Sequence, residues 1–290
     1  MLIPLRDTWA LVLGASSGMG RATSLALARE GVNIVGVHFD TASRAEEVDA
    51  LVTELRGLGV QVEFSNANAA DARVRARTVA RIGELTAGGG LQIVVHSLAF
   101  GTLVPYLPRE GWERGLTQRQ LEMTLNVMAH SLVYWVQDLA AAQLLRRGAH
   151  VFAMTSAGVT QALPSYGAVS AAKCALEAHV RQLACELAPR GVSVNAVRAG
   201  VTVTPALEQI PEHGQFVRSA TAGNPHGRLT RPEDVAEAVL LLSGTDSSWI
   251  TGNTIGVDGA ELHAAGQSWA TPVLTEIIVQ ETLSQTTSVV

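Results

Sequence analysis

Charge is scarce in this sequence. Only 16% of its 290 residues are charged, and the formal net charge is -5. The basic residues form no block, so the chain lacks the electrostatic footprint of a nucleic-acid binder. Cysteine is nearly absent, with Cys174 and Cys185 the whole complement. If both lie on one helix they stand roughly 16 Å apart, and a disulfide tolerates only about 7 Å between Cα atoms. They read as small buried apolar residues rather than redox or metal groups. No apolar run approaches the roughly 18 residues of a membrane span. The opening MLIPLRDTWA has neither the charged nor the apolar region of a secretory signal. The expectation is a cytoplasmic protein with neither nucleic acid nor membrane as partner.

What is present is apolar: 47% of the chain, enough for a large core. Thr8–Leu13, Asn33–Val37, Gln61–Phe64, Gln92–His96, His150–Thr155, Ser193–Arg198 and Thr254–Val257 read as strands. Several are continuously apolar, as strands covered on both faces must be. Helical patterns lie between them at Arg21–Glu30, Arg44–Leu55, Ala72–Leu85, Gln118–Leu145, Ser165–Ala188 and Pro232–Leu242. Repeated strand–helix–strand units imply an α/β fold: one Rossmann-type, doubly wound parallel sheet with helices on both faces. The expected organisation is a single domain over residues 1–262 and an extension of unknown role over 263–290. Val201–Thr230 shows neither clear strand nor clear helix, and a segment that long is usually functional in a compact domain.

Gly14-Ala15-Ser16-Ser17-Gly18-Met19-Gly20 follows the first strand and opens the first helix. Glycines permit a tight turn and let the backbone approach a pyrophosphate, and the helix N-terminus offers free N–H groups and a positive dipole end. Gly14, Ser16, Ser17, Gly18, Met19 and Gly20 are therefore candidate cofactor-binding residues.

The loop resembles that of the short-chain dehydrogenase/reductase family, and the resemblance runs in order from about Leu5 to Ala260. Asn68-Ala69-Ala70-Asp71 is similar to the family's adenine-contacting segment, which points to Asn68 and Ala69. Asn195-Ala196-Val197 with Gly200 and Thr204 resembles the segment that clamps the nicotinamide, which adds Gly200, Thr202 and Thr204. Dinucleotide folds place an acid at the end of the second strand for the adenosine ribose. His38 stands there instead, and the nearest acid, Asp40, lies two residues on. Loss of the acid removes a repulsion against a 2′-phosphate, which His38 or Arg44 could then contact. The sequence therefore leans to NADPH, with NADH the alternative.

Tyr166 and Lys173 stand seven positions apart, about two helical turns, and so share a face. An ammonium beside a phenol stabilises the phenolate and should lower its pKa. Tyr166 can then give a proton or a hydrogen bond to an oxygen gaining charge. The family's ordinary carbonyl reductases carry a Tyr four positions before the Lys, where this chain has Val169. The wider spacing resembles the divergent enoyl-acyl-carrier-protein reductases. Val95-His96-Ser97-Leu98-Ala99-Phe100 is similar to that branch too, which adds Ser97 to the cofactor site and gives His96 a supporting role. Ser156 stands where ordinary members have a catalytic Ser, and Asn126 falls near their catalytic Asn.

The resemblance implies hydride transfer from NAD(P)H to a trans-2-enoyl thioester, on acyl carrier protein or coenzyme A, in fatty-acid synthesis. Tyr166, Lys173, Ser156 and Asn126 are the implied catalytic set, Pro205–His226 a lid, and a homotetramer the implied assembly. The alternatives are a carbonyl reductase acting on a 3-oxoacyl thioester, and a cofactor-binding sensor without turnover. Histidine spacing supports no metal site.

Overall fold

The computed structural model describes residues 3–209 and 213–264. Seven strands form one parallel sheet: β1 (Trp9–Leu13), β2 (Asn33–His38), β3 (Val62–Asn66), β4 (Leu91–His96), β5 (Leu145–Ser156), β6 (Ser193–Ala199) and β7 (Thr254–Val257). Their spatial order is β3-β2-β1-β4-β5-β6-β7. The order reverses between β1 and β4, and the crevice at the carboxyl ends of those two strands is where doubly wound folds bind ligands. Every residue of β1, β2 and β4 is buried, which accounts for their unbroken apolar runs.

Helices cover both faces. Leu11, Leu13, Val94, Val151 and Val194 point to one side, against α3 (Ala72–Leu85), α5 (Ser131–Ala141) and α6 (Gly167–Leu187). Ala10, Val12, Ile34, Ile93 and Val197 point to the other, against α1 (Gly18–Arg29), α2 (Ala45–Gly57) and α9 (Pro232–Ser243). Alternate strand residues thus feed two cores. Trp135, on α5, is fully buried, and its Nε1 donates to the Ala69 carbonyl at 2.8 Å, pinning the segment after β3 to the helix layer.

Three expectations need correction. The pattern over Gln118–Leu145 is not one helix. α4 (Gln118–Leu125) passes through a π-turn at Asn126–His130 into α5, and Leu145 already belongs to β5. Val201–Thr230 contains α7 (Pro205–Glu208) and α8 (His213–Gly223). α7 has a plain start signal, Thr204 as N-cap with Pro205 at the first position. Cys174 and Cys185 share α6 and are unbridged as expected, but they are exposed rather than buried. The buried side of that helix is taken by Ala172, Leu176, Val180, Leu183 and Leu187, and both sulfurs fall opposite. Of the extension over 263–290, only residues 263 and 264 fall within the described residues. Among the described residues no helix is long and apolar enough to cross a membrane.

Candidate active site

The glycine loop leaves β1 at the switch point. Gly14 has φ 87, and a Cβ there would run into the Ser97 carbonyl oxygen, because the chain leaving β4 passes directly against it. Gly20 has no room either: its Cβ would meet the Gly14 carbonyl. Ser17 is the N-cap of α1, yet its side chain caps nothing, so the first N–H groups of that helix stay available. This cradle and uncapped helix end fit a dinucleotide pyrophosphate. Met19 packs on the core below the loop, and Gly18 lies against the Thr204 methyl.

At the end of β2 the side chains sort differently from the sequence expectation. His38 is buried, with Nδ1 2.8 Å from Asp40 Oδ2, and Arg44 donates to Asp40 Oδ1 at 2.8 Å and to Glu47 at 3.0 Å. Both groups considered for a 2′-phosphate are thus engaged with carboxylates. Asn66 holds the Asp40 backbone on both sides, at 3.1 and 3.0 Å. Burial pushes the Asp40 carboxyl up, but hydrogen bonds from Ser16 and His38, with the charges of Arg44 and His38, outweigh it and leave its pKa below the ordinary value. Asp40 therefore reaches the glycine loop through Ser16, although it lies two residues past the strand end. Asn68 is exposed and turns its side chain back to the Ala70 amide, while Ala69 is buried.

Tyr166 is the N-cap of α6 rather than a residue within it, preceded by Ser165 in left-handed backbone at φ 57. Its ring lies over Gly158, where a Cβ would come within 2.8 Å. Lys173 is buried on the same helix and is the only lysine in the sequence. Its Nζ donates to the Met154 carbonyl at 2.7 Å and the Leu98 carbonyl at 3.4 Å. Burial lowers its pKa to about 8. The expected lowering of the Tyr166 pKa is not found: burial raises it, and only the nearby Ser156 hydroxyl acts the other way. The physical reason is that the Lys173 ammonium spends its hydrogen bonds on backbone carbonyls. Ser156 Oγ and Ser170 Oγ are buried with no hydrogen-bond partner of good geometry. Asn126 is exposed at the start of the π-turn, which packs against α6, and among the described residues it makes no side-chain hydrogen bond. Tyr106 was not anticipated: it packs on Gly167 at the start of α6, and Arg109 donates to Ser165 Oγ at 3.2 Å.

His96 ends β4 fully buried. Ser131 Oγ donates to the Val127 carbonyl at 2.7 Å, so it accepts from His96 Nε2 at 2.8 Å. The remaining ring nitrogen, Nδ1, is a buried acceptor without a partner. Burial, then the charge of Lys173, lowers the pKa to about 3. A neutral imidazole this deep supports structure rather than shuttling protons.

Past β6, Gly200 is packed so closely that a Cβ would meet the Thr230 hydroxyl. Thr202 is buried, with its hydroxyl on the Gly200 carbonyl at 2.9 Å, and Thr204 caps α7 by accepting from the Leu207 amide at 3.2 Å. Asn195 lies deep in the sheet and latches the strand to Ile250 and Asn253. Among the described residues no group of three or more His, Cys, Asp or Glu is placed to hold a metal.

This is the architecture of an NAD(P)H-dependent oxidoreductase. The chain belongs to the short-chain dehydrogenase/reductase family: a family model described as "Enoyl-(Acyl carrier protein) reductase" matches residues 14–260. A 3-oxoacyl-(acyl-carrier-protein) reductase FabG of Thermotoga maritima is 29% identical over 251 residues, covering 86% of this chain and 95% of the relative. A cyclohexanol dehydrogenase of an Acinetobacter species is 30% identical over 254 residues, covering 87% and 93%. A short-chain dehydrogenase from Burkholderia cenocepacia, solved in complex with NADP, superposes with a TM-score of 0.74 at 27% identity, covering 90% of this chain and all of that one.

Proposed function

We propose that this chain reduces the double bond of a trans-2-enoyl thioester carried on acyl carrier protein or coenzyme A. One observation carries the reading. Val169, where a carbonyl reductase of the family has its Tyr, is buried in the core, while Tyr166 sits at the head of α6 two turns before Lys173. The description of the matching family model points the same way.

The Gly14–Gly20 loop would hold the cofactor's pyrophosphate and Gly200–Thr204 its nicotinamide, which would supply a hydride to the β-carbon. The protein's own residues handle the charge and the proton. Charge collects on the thioester oxygen, Tyr166 donates a hydrogen bond to it, and Ser156, whose hydroxyl is otherwise unpartnered, adds a second. The α-carbon then takes a proton. Only bonds that strengthen as that charge develops accelerate the step. Lys173, whose ammonium has three donors and gives its shortest to the Met154 carbonyl, would hold the nicotinamide ribose hydroxyls. The segments 205–209 and 213–226 would cover the acyl chain and exclude water.

For the cofactor we propose NADH, where the sequence leaned to NADPH. An ionised Asp40 against Ser16 would repel a 2′-phosphate, and Arg44 is already committed to Asp40 and Glu47. Both features favour NADH. A homotetramer is the assembly we infer, supported by the exposed Leu241, Trp249 and Ile250 near the β7 edge.

Reduction of a 3-oxoacyl thioester is the second reading, favoured by Ser156 beside Tyr166 and by the relative from Thermotoga maritima. Oxidation of NADH and NADPH by the purified protein, with each thioester in turn and Tyr166→Phe as control, separates the two. Turnover of the enoyl substrate, lost in the variant, is expected. Turnover of the 3-oxo substrate alone overturns the proposal.

A further inference from the structure

β6 and β7 stop pairing at Ala199 and Val257. The Gly200 amide still reaches the Val257 carbonyl at 3.2 Å, but the next amide, Val201 N–H, has passed beyond the sheet. A carboxylate catches it: Glu261 accepts from Val201 at 3.1 Å through Oε2 and 3.3 Å through Oε1.

The turn after β7 is built to bring that side chain back. Asp258 Oδ1 accepts from the Ala260 amide at 3.0 Å, Oδ2 faces Arg198 at 3.4 Å, and its carbonyl accepts from the Glu261 amide at 3.0 Å. Ala260 is held at φ 64, a left-handed conformation that residues with a Cβ avoid. The Asn224 side chain, just past α8, donates to the Asp258 carbonyl at 3.0 Å and also bonds the Glu261 carboxylate. Glu261 Oε2 is so close to Gly200 that a Cβ there would lie 2.8 Å away. One carboxylate thus touches the end of β6 and the end of the α8 segment together.

An apolar residue would fill this space without burying a charge beside Asp258. Burial raises the Glu261 pKa, the Val201 amide opposes that, Asp258 raises it further and Asn224 opposes again, so the charge is held at a cost that local hydrogen bonds offset only in part. We propose that Glu261 is a positioning residue for the cofactor, fixing Gly200–Thr204 in the conformation that receives the nicotinamide. This rests on the reading that Gly200, Thr202 and Thr204 clamp that ring.

The test compares NADH with ADP-ribose, which lacks the nicotinamide, as ligands of the full chain in titration calorimetry. The wild type binds NADH the tighter of the two. In Glu261→Ala, NADH weakens about tenfold, the size expected for one charge-assisted hydrogen bond, while ADP-ribose is unchanged. Glu261→Gln keeps an acceptor without the charge and recovers part of the loss. Glu261→Asp keeps the charge but falls short of Val201, so it behaves like the alanine variant and replaces it if alanine does not fold. Equal weakening of both ligands, or none, overturns the proposal while leaving the clamp in place. A wild type that binds the two equally removes the clamp itself, and the role of Glu261 falls with it.

Discussion

Lys173 Nζ donates to the Met154 carbonyl at 2.7 Å, tying α6 to β5 two residues before Ser156. The ammonium is buried, and this environment rather than the phenol sets its protonation. Its pKa of about 8 lies below the ordinary 10.5, so the cation persists only below about pH 8. If the cation holds the ribose hydroxyls, cofactor affinity falls as pH rises through 8. For this group alone, folding stability rises with pH between about 8 and 10.5, because the unfolded chain keeps its proton longer. As the only lysine, Lys173 can be read without interference: after reductive methylation with a carbon-13 label, one side-chain NMR signal titrates near 8. A midpoint near 10.5 contradicts the buried ammonium.

The Tyr166 pKa is raised rather than lowered, so the phenol is protonated at neutral pH and, under the proposed mechanism, would act as a donor. Tyr166→Phe is expected to lower kcat by about a hundredfold or more and to leave the cofactor dissociation constant unchanged. A variant that keeps full kcat removes Tyr166 from the chemistry.

The centre of the sheet was readable because β1, β2 and β4 are buried along their whole length, and a run such as Trp9–Leu13 is too short for a buried helix. The glycine loop was readable because its constraint is local: Gly14 and Gly20 face carbonyls of the loop and of the strand beside it. What failed to show depends on distance. Glu261 meets Val201 from 60 positions away, and nothing in either neighbourhood announces the contact. Asp40 was seen as an acid out of place, but its reach to Ser16 depends on how the β2 end curls and on Asn66 from β3. The π-turn at Asn126–His130 joins α4 to α5 without a Pro or Gly to mark it, so one long helix was expected. The upward shift of Tyr166 was missed for a related reason: spacing on a helix says which groups are neighbours, not which acceptors compete for the ammonium.

His96 makes an acid-stability prediction. Its folded pKa of about 3 lies below the ordinary 6.5 because burial disfavours the charged ring. The stability it contributes is fully present above pH 6.5 and is lost as pH falls towards 3, at roughly 1.4 kcal/mol per pH unit. Denaturant melts at pH 7 and pH 5 should therefore differ by about 2 kcal/mol more in the wild type than in His96→Gln. Equal differences would contradict the neutral, unprotonated ring.

The proposed preference for NADH turns on Asp40. Asp40→Asn removes the charge opposing a 2′-phosphate and frees Arg44, so the ratio of kcat/KM for NADPH to that for NADH should rise about tenfold or more. An unchanged ratio would mean the adenosine ribose lies elsewhere.

The most direct test of the central claim tracks the hydride. The enzyme is supplied with NADH carrying deuterium on the transferred position of the nicotinamide and a trans-2-enoyl thioester, and the product is read by mass spectrometry and NMR. The account predicts a saturated thioester with one deuterium on the β-carbon and a solvent proton on the α-carbon, and no label in the Tyr166→Phe reaction over the same period. Label found only on the carbinol carbon of a 3-hydroxyacyl thioester, when the 3-oxo substrate is supplied instead, would contradict it.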